Sequence, residues 1–83
     1  MTKDELLELM DDFMLNGWDI PHFCVEVFND EIDDYEYIVN PASSLSYKRK
    51  YYDKAYDDDL RLKANNNIHI KDAYPLSVIR RKL

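Results

Sequence analysis

One glycine, one cysteine and two histidines are all that this 83-residue chain contains of those types. A single glycine excludes a glycine-rich phosphate loop and argues against a β-sandwich with many tight turns. A single cysteine, Cys24, excludes an internal disulfide framework and fits a reducing compartment. His22, Cys24 and His69 are the only nitrogen and sulfur ligands of interest, and they lack the close pairing of a zinc motif. The acidic run Asn29–Tyr37 lacks the alternating oxygen ligands and the glycine of a calcium-binding EF-hand loop. No apolar run is long enough to cross a membrane. The N-terminus has no basic, then apolar, then small-residue pattern of a signal peptide, so the cytoplasm is the expected location. Ser43, Ser44 and Ser46 stand at an expected helix start, which is ordinary capping chemistry. No base and oxyanion site accompany them or Cys24, so the sequence implies neither an enzyme nor a cofactor.

What is present is tyrosine and charge. Seven tyrosines put much of the apolar area into rings with a polar tip. The net charge of −6 conceals a division: residues 1–40 carry twelve acids and one base, residues 41–83 five acids and ten bases. Such asymmetry bears on partners rather than on fold.

The hydrophobic spacing predicts a small α+β domain spanning residues 1–83. Thr2 and Glu5 have the spacing of a capping box. Leu6, Leu9, Met10, Phe13 and Met14 repeat at helical intervals, predicting a helix over Lys3–Asn16 that stops at Asn16-Gly17. After Pro21, His22–Phe28 and Tyr35–Val39 read as a hairpin with a long acidic loop. Phe23, Val25 and Val27 point one way, Cys24 and Glu26 the other, and Phe28 breaks the alternation. Asn40-Pro41 reads as a capping residue followed by a first-turn proline, opening a helix that runs to Tyr56 or Asp57. The alternating "DLRLK" and "IHIK" flank "ANNN" and predict a second hairpin. Leu60, Leu62, Ile68 and Ile70 then face the helices, and Arg61, Lys63, His69 and Lys71 face solvent. Residues 76–83 read as a short strand, a turn of helix or a frayed, flexible basic tail. The expected order is α-β-β-α-β-β, a four-stranded antiparallel sheet with both helices on one face.

The stretch "YKRKYYDKAYDDDL" has two tyrosine faces. Tyr52 and Tyr56 share the helical stripe of Leu45 and belong to the core. Tyr47 and Tyr51 lie one turn apart beside Lys50 and Lys54. Exposed, these four would form a surface on which single-stranded nucleic acid stacks and pairs, with Arg80, Arg81 and Lys82 as further phosphate contacts. Asp57–Asp59 oppose the helix dipole there, which suggests that the helix stops earlier and an aspartate builds the turn.

The acidic half favours a different partner. Glu8, Asp11 and Asp12 on the first helix, with Asp30, Glu31, Asp33 and Asp34 in the loop, could occupy the basic groove of a nucleic-acid-processing protein. The plainer reading is solubility, or pairing of the acidic half with the basic half. Self-association through opposite-charge halves is a third possibility. A membrane surface would repel the acidic half.

The segment "NPASSLSYKRKYYDKAYDDDLRLKANNNIHI" resembles the short accessory proteins of phages and mobile elements in low-GC Gram-positive bacteria. The likeness lies in the Asn-Pro start, the tyrosine-lysine helix and the alternating "LRL" and "IHI", about a third of the chain. It implies an inhibitor of a host defence nuclease, of which anti-CRISPR proteins are the best-known class. It assigns no contact residue, and the acidic face would be the physical means.

Overall fold

The computed structural model describes residues 1–16 and 22–76. Gly17, Pro21 and the basic residues Arg80, Arg81 and Lys82 therefore lie outside the described residues. The order is helix α1 (Lys3–Asn16), strands β1 (His22–Asn29) and β2 (Asp34–Pro41), a 3-10 turn (Ala42–Ser44), helix α2 (Leu45–Ala55), and strands β3 (Arg61–Leu62) and β4 (Asn65–Pro75). The strands form one four-stranded antiparallel sheet in the order β2-β1-β4-β3. The fold is the expected α+β arrangement.

The capping box is formed. Thr2 N–H donates to Glu5 Oε1 at 2.8 Å, and Glu5 N–H donates to Thr2 Oγ1 at 3.2 Å. Leu6, Met10 and Phe13 of α1 are buried with Leu45, Tyr52 and Tyr56 and with the sheet residues Phe23, Val25, Val27, Ile70 and Ala73. Both helices thus cover one face of the sheet. Phe13 meets Phe23 edge-on at 5.2 Å between ring centroids. Each fully buried side chain of this size contributes about 1.5–3 kcal/mol.

Several expectations are corrected. Asn40 caps no helix. It is a fully buried strand residue opposite Phe23, and its amide donates to the Phe23 carbonyl at 3.3 Å. Tyr52 Oη lies 3.5 Å from Asn40 Oδ1, so the core phenol and the core amide satisfy each other. Pro41 ends β2, and the α-helix begins only at Leu45. Ser44, at the N-cap of α2, makes no capping bond; its hydroxyl donates to the Pro41 carbonyl. Phe28 does not end its strand but continues the second face of β1, packing on Tyr35 and His69. The acidic loop shrinks to a turn at Asp30–Asp33, because β2 begins at Asp34. β4 runs through the asparagines and on to Pro75, whereas β3 keeps only two residues. His69 lies on the sheet face away from the helices, as expected, but its side chain is only 13% exposed because it packs on Phe28 and bonds Asp30.

α2 ends at Ala55, before the aspartates, and Asp57 builds the turn as expected. Its Oδ1 accepts from the N–H groups of Asp59 and Arg61 at 2.9 and 3.0 Å. The turn drops Leu60 into the core at φ 60°, an uncommon conformation for a leucine.

Candidate functional site

The acidic residues separate into paired and unpaired sets. On α1, Arg49 of α2 grips Asp11 with two parallel bonds, Nε to Oδ1 at 2.7 Å and Nη2 to Oδ2 at 3.1 Å. In the β1–β2 turn, Asp30 Oδ2 accepts from Arg61 Nη1 at 3.1 Å, and its Oδ1 lies 2.9 Å from His69 Nε2. Those hydrogen bonds, His69's first and Arg61's next, hold the Asp30 carboxyl below its ordinary value. Among the described residues, Asp11 and Asp30 are therefore where carboxylates of the acidic half meet bases of the basic half, and Lys3 and Asp53, 3.2 Å apart, join the halves in the opposite sense. Glu8 and Asp12 are exposed on α1, and Glu31, Asp33 and Asp34 are exposed at the turn. Among these, Glu31 takes a long 3.4 Å bond from the Asn67 amide, and Asp34 Oδ1 accepts from the Tyr35 N–H. Asp33 adopts φ 52°, which closes the turn.

The acidic turn adjoins a sheet face that no described helix or strand covers, and sequence reasoning missed its tyrosine row. With Phe23, Val25 and Val27 turned to the helices, the opposite face of β1 presents Cys24, Glu26 and Phe28. The register sets Val39, Tyr37 and Tyr35 beside them on β2, and Tyr74, Asp72 and His69 on β4. Tyr35 and Tyr37 stack nearly parallel, 6.5 Å apart, and are 48% and 56% exposed. Phe28 braces Tyr35 edge-on at 4.8 Å, and Lys71 Nζ lies 5.5 Å above the Phe28 ring. A register shift between Glu26 and Val27 inserts Lys71 as an extra residue in β4. At the other end, Cys24, Tyr37, Val39, Tyr74 and Leu76 line a shallow, mostly apolar depression of about 390 Å³. Burial there raises the Cys24 thiol pKa, and burial followed by the Glu26 carboxylate raises that of the Tyr74 phenol. The missed signal was the strict alternation of Tyr35, Tyr37 and Val39, a second apolar row on a strand whose other face was not needed for a large core.

The helix α2 surface has the two tyrosine faces expected. Tyr52 and Tyr56 are buried, and burial, the largest cause in each case, raises both phenol pKa values. Tyr47 is 71% exposed and Tyr51 47% exposed, with Lys50 and Lys54 also at the surface. Tyr51 is not free-standing: its ring packs edge-on against Tyr52 and Tyr56, and Lys48 Nζ lies 5.9 Å from its centroid.

Among the described residues, no group of three or more His, Cys, Asp and Glu side chains converges as a metal site would. Within them, no helix is long and apolar enough to cross a membrane. Comparison with protein-family models, with curated proteins and with solved structures finds no match to this chain.

Proposed function

We propose that the protein is a non-enzymatic binding protein whose acidic β1–β2 turn and neighbouring tyrosine row engage a basic surface on a nucleic-acid-processing protein. In a phage setting, that partner is a host defence nuclease in the cytoplasm. The observation that carries this reading is the adjacency of two unlike surfaces. Glu31, Asp33 and Asp34 stand exposed at the turn from which the stacked pair Tyr35 and Tyr37 leads away. Rigid, half-exposed aromatic rings supply anchor area at low entropic cost, and carboxylates at their rim steer a basic partner and fix its orientation. Glu8 and Asp12 extend the negative field on α1. Asp11 and Asp30 leave the contact set, because Arg49 and Arg61 already neutralise them.

The runner-up is a nucleic-acid-binding module on α2. The exposure of Tyr47 beside Lys50 and Lys54 supports it. Asp58 and Asp59, exposed just beyond the helix, weigh against phosphate there, whereas Asp53 is paired with Lys3 at 3.2 Å.

The test is interferometry of the full chain against a panel of purified DNA-binding nucleases. The expected result is salt-sensitive binding to at least one, lost in a folded E31K/D33K/D34K variant. Binding that survives this reversal, or no binding across the panel, contradicts the reading.

A further inference from the structure

We propose that strand β2 is a self-pairing edge, joining two copies of this chain across a two-fold axis at Tyr37 into one continuous eight-stranded sheet. The two edges of the sheet differ. β3 offers two residues, whereas β2 offers eight, and no described strand lies beyond it.

The direction of its backbone groups follows from hydrogen bonds on the far side of β1. Leu76 N–H donates to the His22 carbonyl, and Asp30 N–H to the Asn67 carbonyl, so the even-numbered residues of β1 face β4. Antiparallel alternation then turns Phe23, Val25 and Val27 toward β2, where they meet Asn40, Ile38 and Glu36. Tyr35, Tyr37 and Val39 are left pointing their N–H and C=O groups outward. Pro41, which has no N–H to give, falls on the outward side of the same strand, where proline is tolerated. The Tyr35 N–H is taken by Asp34 Oδ1 at 2.8 Å. Among the described residues, no partner takes the outward donors of Tyr37 and Val39 or the outward carbonyls of all three.

The sequence of this edge is complementary to itself. Antiparallel pairing about Tyr37 sets Tyr37 against Tyr37, Tyr35 against Val39, Glu36 against Ile38 and Asp34 against Asn40. No carboxylate faces a carboxylate, and aromatic and β-branched residues meet across the strands, which are favourable pairs. Sliding one way puts Glu36 opposite its own copy. Sliding the other way draws Pro41 into the ladder opposite Tyr35. The even spacing also keeps the uncovered faces on one side, so the two tyrosine rows merge. Each copy carries −6, so salt screens the repulsion and tightens this pairing. Association of opposite-charge halves would show the reverse.

The experiment is sedimentation velocity of the full chain at low and high salt, with bis-maleimide cross-linking of Tyr37→Cys/Cys24→Ala. The expected result is a monomer–dimer equilibrium shifted toward dimer by salt. Across the two-fold, the paired Cα atoms stand about 5.5 Å apart, so a short bis-maleimide should join the two cysteines. Cys24 is replaced because Tyr37 helps to cover it. Tyr37→Lys, checked for native circular dichroism, should stay monomeric at both salts. A wild-type monomer at both salts overturns the proposal. So does a dimer that survives Tyr37→Lys, or one that dissociates as salt rises. None of these readouts uses the nuclease partner, so the pairing and the binding function fail separately.

Discussion

Arg49 of α2 holds Asp11 of α1 by two parallel hydrogen bonds of 2.7 and 3.1 Å. The pair fastens the helices to each other and removes one carboxylate from the field that α1 presents. Both side chains are partly exposed, at 33% and 47%, so the pair is expected to contribute only about 0.5–1 kcal/mol. A double-mutant cycle with Asp11→Ala and Arg49→Ala, read by urea denaturation, should return a coupling of about that size. Partner binding should survive Asp11→Ala and fail on reversal of the turn acids, although Asp11 belongs to the same acidic half.

The buried polar pair Asn40 and Tyr52 has a larger role. Asn40→Ala removes the amide that serves the Phe23 and Ile38 carbonyls and leaves a cavity beside the Tyr52 hydroxyl. The expected loss is about 2–3 kcal/mol, against about 1 kcal/mol for Tyr52→Phe. Thermal melts of the two variants check the order. A Tyr52→Phe cost exceeding that of Asn40→Ala would mean that the phenol, not the amide, organises this part of the core.

Asp57 is expected to hold the turn that delivers Leu60. Asp57→Ala orphans the N–H groups of Asp59 and Arg61 and leaves Leu60 in its left-handed conformation without that support. A destabilisation of about 1–2 kcal/mol is expected. Asp57→Asn keeps the accepting oxygen and should recover most of it, as denaturant midpoints would show.

Stability should fall at both ends of the pH scale. The Asp30 and Glu5 carboxyls lie below their ordinary values of 3.8 and 4.5 in the folded protein, the first through His69 and Arg61, the second through Thr2. A lowered folded pKa stabilises above the ordinary value, and that contribution is lost as pH falls through the folded one. Asp30→Asn should therefore flatten the acid limb. Tyr52, Tyr56 and Tyr74 are raised above 10.0 by burial, so their contribution is present below pH 10 and lost as pH climbs past it. Absorbance at alkaline pH should show phenols that ionise only as the fold is lost. Their ionisation with native circular dichroism intact would contradict the burial.

Much of this fold was legible because local chemistry and global packing agree. The capping box, the α1 stripe and the Tyr52–Tyr56 stripe each follow from spacing alone, and the aspartate turn from the conflict between acids and a helix C-terminus. The errors share a cause. Asn40-Pro41 has the composition of a helix start, but a buried amide facing Phe23 satisfies more backbone than a cap would. Phe28 reads as a strand end only if one face of the sheet matters. The bulge at Lys71 and the length of β4 depend on pairing with β1, which no local pattern encodes. In the candidate site, the exposure of Glu31, Asp33 and Asp34 was legible in their polar, turn-like run. The pairing of Asp11 and Asp30 was not, because their partners are 38 and 31 residues away.

The most direct test is displacement of labelled duplex DNA from a purified DNA-binding nuclease that this protein binds, followed by anisotropy at about 50 mM salt, where phosphate contacts are strong. The wild type and a Lys50→Glu/Lys54→Glu variant should both release the DNA, and E31K/D33K/D34K should not. Without the nuclease, the wild type should leave the DNA signal unchanged. Direct binding to the DNA that is abolished by Lys50→Glu/Lys54→Glu, or displacement indifferent to reversal of the turn acids, would contradict the acidic turn as the binding surface.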